Sequence, residues 1–307
     1  MAFETLLTTE GSMISGPARQ PRQMLADQAY DGHASVHDGD VADKLGLPGA
    51  PIEGPTHFSQ FDPLAFSVWG QRWFETGCIS AHFQTMVVEG ESVTATLTRG
   101  DDPDIARIDA SKADGTPVLT GTASVDPGAP TELGERLAAM QAREPGELLI
   151  VDRVTVGHRS RVASTVSIDM DSDNGMLYPF SLRRKLDAIT EPSAWYDGDD
   201  TPWGRAIVPF EMFSVLANKV GNDLSVRGPA VGLFIDLEVR LFDGPLFVGE
   251  RYVLDREVLA VGQSRRVESH WVETKISSAA TGAHVASVLL HSGVFKASYA
   301  DYPADRL

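Results

Sequence analysis

One apolar run limits what this chain can fold into. It extends from Gly54 to Gly70, and within it Phe58, Phe61, Ala65, Val68 and Trp69 recur at three- and four-residue steps. That spacing puts them on one broad face of a helix apolar enough to be buried. Pro63 lies inside the pattern. It either kinks the helix or sets its start, with Asp62 as N-cap and Pro63 at the first helical position. Beyond the run the chain is strand-like over 79–99 and 105–125, with Ala113-Asp-Gly-Thr as a hairpin turn.

The run has an echo. Ile207 to Gly221 is a second apolar helix pattern, again succeeded only by strands. A Gly-Glu pair precedes an alternating strand in both places, Gly90-Glu91 and Gly249-Glu250, and each half closes on a turn and a strand. This is an internal duplication of plan, not a short-period repeat. It predicts an α+β chain of two units, 1–130 and 147–307. A linker over 131–146 contains a helix with Leu133, Leu137 and Met140 on one face. In the second unit 148–170 reads as strand-rich and 182–189 as helical. A helix wrapped by a strongly bent antiparallel sheet is the hotdog arrangement. Two such units make a double hotdog: one continuous sheet, both helices on its concave side. Pairing the last strand of each unit across the join would remove two exposed edges.

The totals exclude several function classes. A net charge of −17 over 307 residues repels nucleic acid and anionic membrane. The densest basic clusters, Arg183-Arg184-Lys185 and Arg265-Arg266, read as solvated surface. The single cysteine, Cys78, excludes an intrachain disulfide and fits a reducing compartment. No run approaches a membrane span, and the first residues lack the basic start and apolar stretch of a signal peptide. A cytoplasmic location is the expectation. No His, Cys or Asp spacing suits a metal, and no Gly-x-Gly-x-x-Gly, P-loop or Gly-x-Ser-x-Gly is present. No cofactor is expected, and acid–base chemistry is favoured over covalent catalysis.

The order Asp31 … His37-Asp38 … Ala42 … Gly46-Leu-Pro-Gly-Ala-Pro51-Ile52 resembles the MaoC-like hydratase/dehydratase group of the hotdog superfamily. In that group an Asp-x-Asn-Pro-x-His-x-Asp segment and a short helix lead to Pro-Ile-x-His-Gly at the start of the central helix. The family's Asp and His carry over to Asp31 and His37. The His-Gly is missing: Glu53-Gly54-Pro55 stands in the first unit and Pro209-Phe210 in the second. The resemblance implies a hydro-lyase acting on an enoyl-CoA or 3-hydroxyacyl-CoA type of thioester. It also implies an active first unit, a degenerate second unit that shapes the acyl pocket, and a homodimer.

Such a reaction needs a base for water, an acid for the α-carbon and N–H groups for the carbonyl. The start of a buried helix supplies the last, and Gly54 there would let a thioester approach the backbone closely. Glu53 and His57 flank this mouth and join Asp31 and His37 as catalytic candidates. Only the first helix has ionisable residues there. Trp69 and Trp73 are candidate walls of the acyl pocket. His82 reads as structural. A hotdog thioesterase using Glu53 or His57 to activate water fits the same residues. A third reading is a lyase, isomerase or non-catalytic binder of a small molecule that is not a thioester.

Overall fold

The computed structural model describes every residue except Met1, Tyr30, Asp31 and Asn222. Its strands are β1 Thr8–Glu10, β2 Met13–Ser15, β3 Cys78–Phe83, β4 Val93–Arg99, β5 Ile105–Lys112, β6 Pro117–Ser124, β7 Arg159–Arg161, β8 Gly232–Leu241, β9 Tyr252–Gln263, β10 Val267–Ser278 and β11 His284–Phe295. They form one antiparallel sheet in the order β1-β2-β4-β5-β6-β3-β8-β11-β10-β9-β7. Period-2 patterning sets the faces. Along β9 every second residue is buried, so one side packs while the other stays half-exposed. This is the double hotdog.

The join differs from the expectation in one respect. The strands that meet are β3 and β8, the first long strand after each central helix, in register from Cys78↔Arg240 to His82↔Asp236. The last strands, β6 and β11, lie one place out from the join on either side. Each chain leaves its helix at the middle of the sheet, jumps to the outer edge and returns, so β3 and β8 are the edges left to be paired.

The run from Gly54 becomes a 3-10 helix, Gly54–Phe61, continued by an α-helix, Asp62–Trp69. Asp62 does not cap it. Its carboxyl accepts from Trp73 Nε1 at 2.9 Å and from the Tyr196 hydroxyl at 2.8 Å. Burial pushes Asp62 up to about 8. The echo is a 3-10 turn, Phe210–Met212, then an α-helix, Phe213–Asn218. A short helix that follows the first buried helix, Arg72–Thr76, meets the second buried helix where Trp73 stacks on Phe210, ring centres 4.5 Å apart.

The segment 148–170 is less regular than its pattern suggests. It pairs with β9 through the three-residue strand β7 and through the Gly157, Val162 and Val166 amides, because turn residues interrupt it. The helix expected over 182–189 is the shorter Leu182–Leu186. Among the described residues no helix is long and apolar enough to cross a membrane.

The helix Glu132–Gln141 packs on the convex face over Trp271 and Ala260. Beneath it the register lines up His82, Asp236 and His291 on three adjacent strands. Asp236 is fully buried. It takes Nδ1 of His82 at 2.6 Å and Nδ1 of His291 at 2.5 Å, and Arg136 Nε lies 3.0 Å away. Burial alone would raise this carboxylate, yet these donors hold it down at about 2, against 3.8 when unfolded. A depressed carboxylate stabilises the fold above its unfolded value, and that contribution is lost as pH falls from 3.8 towards 2. In urea unfolding, Asp236→Asn should therefore be destabilised at pH 6, with the gap to wild type closing below pH 3.

Candidate active site

Two loops and one helix start bring the first-unit candidates together. Ser35 Oγ accepts from the His37 amide at 3.1 Å, and Asp38 caps the helix Gly39–Lys44 by accepting from the Val41 amide. His37 is thereby fixed at the end of a turn. Its Nδ1 lies 2.8 Å from the Pro51 carbonyl oxygen. A carbonyl only accepts, so Nδ1 carries the proton and Nε2 the lone pair. Burial lowers the His37 pKa, with the carbonyl opposing it weakly, and the ring is neutral at physiological pH. Pro51 bridges to Val88, and the Ile52 amide donates to the Val87 carbonyl at 2.7 Å. These bonds hold Pro51 under the imidazole and aim the chain into the Gly54 helix.

Glu53 is the residue before that helix and is 8 % exposed. Burial pushes its carboxyl up to about 7, against the opposing effects of Lys185 and a hydrogen bond from Tyr178. The buried Glu211 adds to the rise. The Gly54 amide begins the helix and has no intrahelical acceptor. Gly54 also has a packing role, since a Cβ there would come within 2.8 Å of the Phe83 ring. His57 is buried. Its Nδ1 lies 3.3 Å from Gln60 Nε2, and burial with nearby Lys185 lowers it to about 4. It is a neutral donor through Nε2 and not a base of useful strength.

Lys185 is the cation behind this mouth. Its Nζ donates to Thr56 Oγ1 at 3.2 Å and lies 3.5 Å from Glu211 Oε1. Glu211 opens the second helix and is buried, so the second mouth does hold an ionisable residue, contrary to the sequence reading. It faces Lys185, however, and does not line the cavity.

His37, Glu53, Gly54 and His57 line one cavity of about 660 Å³. That is the size of a small-molecule site. Asp31 lies outside the described residues. Trp69 and Trp73 do not line the cavity. Trp69 donates to the Pro103 carbonyl, and Trp73 is fully buried between the two helices. Both pack into the core, Trp69 from the end of the central helix and Trp73 from the short helix Arg72–Thr76 that follows it.

The second unit supplies much of the wall. Val272, Thr274, Val288, Leu290 and Ser292 line it, together with His270, Arg256 and Lys219. Sequence reasoning assigned none of these polar residues a part in the site: His270 reads there as a strand residue with no visible partner. The period-2 pattern of β10 already puts His270, Val272 and Thr274 on one face. Nothing in the chain's order said that this face turns toward His37. Among the described residues no group of three His, Cys, Asp or Glu side chains could hold a metal ion.

No protein-family model matches the sequence, and no curated protein matches it. Solved structures do. A Chloroflexus aurantiacus protein described as a MaoC-domain dehydratase superimposes with a TM-score of 0.54 at 15 % identity, covering 96 % of this chain and 95 % of its own. The dehydratase domain of PpsC from Mycobacterium tuberculosis, solved with C12:1-CoA, gives 0.51 at 12 % identity over 95 % of this chain and 98 % of its own. A conserved M. tuberculosis protein described as having a double hotdog fold gives 0.50 at 12 % identity, over 84 % and 86 %. The chain therefore has the double-hotdog fold, the fold it shares with these structures.

Proposed function

We propose that this chain is a hydratase/dehydratase of acyl thioesters, working by acid–base catalysis at the mouth of the first central helix. One observation carries the reading. His37 and Glu53 line a single cavity in environments that push them apart: a neutral imidazole with its lone pair on Nε2, and a carboxyl that keeps its proton to about pH 7. The shared fold, with one neighbour bound to an acyl-CoA, supports a thioester ligand. Asp31 belongs to the proposal through the resemblance alone.

In hydration, His37 Nε2 takes a proton from water as the water oxygen bonds to C3 of an enoyl thioester. The C2=C3 electrons move to the carbonyl oxygen, where the Gly54 N–H stabilises the enolate. Glu53 then protonates C2 as the carbonyl re-forms, and the proton on His37 returns to Glu53 through solvent. Dehydration is the reverse.

A trans-2-enoyl thioester tests this directly. Loss of the conjugated absorbance without release of free thiol is expected. Thiol release with the absorbance retained would make the chain a thioesterase, and neither change with any chain length would end the enzyme reading in this form. The pH profile adds a residue-level check. Hydration should rise as pH climbs through the lowered His37 value and fall through about 7 as Glu53 loses its proton. In Glu53→Gln the fall near 7 should vanish. Its persistence would assign the acid elsewhere.

A further inference from the structure

The second-unit wall of the cavity carries more polar chemistry than a plain acyl chain needs. Strand register arranges it in rows. Arg256, Thr274 and Val288 are paired across β9, β10 and β11. Val272 and Leu290 form the next row on that face, and His270 and Ser292 the one after. All seven line the cavity. From the Thr274 row to the His270 row is four residues along β10, about 13 Å. The wall is thus polar, then apolar, then polar.

Both ends have unmet capacity. Arg256 is the one buried arginine among the described residues, and it bonds only to backbone carbonyls: Ala217, Val220 and Gly221 at 2.7, 2.7 and 3.1 Å. Two of its five N–H groups remain. Lys219, next to it at the end of the Phe213–Asn218 helix, donates to the Ser167 carbonyl and to Asn174 Oδ1, both neutral. Among the described residues no carboxylate lies within ion-pair distance of either cation; Asp223 and Asp169 act only from further off. At the other end, His270 Nδ1 is buried without a hydrogen-bond partner. A buried cation without a counter-charge, and a buried nitrogen without a partner, are each costly unless a ligand satisfies them.

The geometry points to a carboxylate subsite at Arg256 and Lys219, so that the acyl group is that of a dicarboxylic acid, its thioester end toward His270 and its methylenes along Val272 and Leu290. This rests on the acyl-thioester reading. It goes further in naming which acyl group is taken.

The test compares trans-2-octenedioyl with trans-2-octenoyl thioesters, each on coenzyme A and on N-acetylcysteamine, which has no phosphate. A charge-assisted contact should favour the carboxylated substrate by about 10-fold or more in kcat/KM on both carriers. Lys219→Met should bring that ratio towards one. A wild-type ratio near one, or a ratio unchanged in the variant, overturns the subsite. So does a variant that weakens both coenzyme A substrates equally and neither N-acetylcysteamine substrate, since the cations would then read carrier phosphate. If no thioester is turned over, the hydratase reading has failed, and calorimetry with octanedioate against octanoate decides the subsite alone. Binding of octanedioate at least 10-fold tighter, and weaker in Lys219→Met, sustains it. Equal binding, or none, removes it.

Discussion

Replacing His37 by Ala should lower kcat/KM for enoyl-thioester hydration by about 10²–10⁴-fold, the usual contribution of a positioned general base. The size is set by the tautomer. Pro51 accepts the Nδ1 proton, so the imidazole is presented in its basic form at no cost at the moment of reaction. No other described histidine of the first unit that lines the cavity has this arrangement: His57 accepts on Nδ1 and is lowered to about 4. His37→Gln, which keeps the bulk, should be nearly as inactive. Stability should hardly change, since the side chain is only partly buried and makes one bond to the protein. A urea midpoint within error of wild type, together with the kinetic loss, would establish a chemical role. Retained activity would remove His37 from the mechanism.

Lys185→Met should cost about 3–5 kcal/mol of folding stability, the penalty for stranding a buried charge partner. Lys185 and Glu211 are 3 % and 1 % exposed, and Glu53 feels the same ammonium. Without it, up to two buried carboxyls must stay protonated to remain inside. The double variant Lys185→Met/Glu211→Gln should recover most of the loss, because it removes the stranded charge as well. Urea midpoints of the four proteins in this cycle give the coupling. Additive losses would mean that the 3.5 Å pair is not the relevant contact.

Much of the candidate site in the first unit was legible because it is local. His37, Glu53, Gly54 and His57 fall within one loop-and-helix-start segment, and turn chemistry with apolar periodicity is enough to place them together. Trp69 and Trp73 were misassigned to the pocket, because a helical face does not reveal whether its neighbour is cavity or core. Lys185 was hidden in a basic triplet that reads as surface. Arg183 and Arg184 are exposed as that reading requires, but the turn capped by Ser181 rotates Lys185 inward. The second wall depends on strand register between residues far apart in sequence, which no local pattern encodes.

The β3–β8 join also sets the order of events during synthesis. When β6 is complete, β3 has one neighbour and its other edge is bare. Its partner arrives only with β8, after the whole linker helix and the second central helix. At about 5–20 residues per second, the stretch from Ser124 to Leu241 takes on the order of 10 s to emerge. Throughout that interval the nascent chain displays a buried-type strand edge, Cys78 to Phe83, to any other strand in reach. Misassembly in this protein should therefore be a translational hazard centred on one ladder, relieved by slower initiation or by holdase chaperones and not by changes to the finished surface.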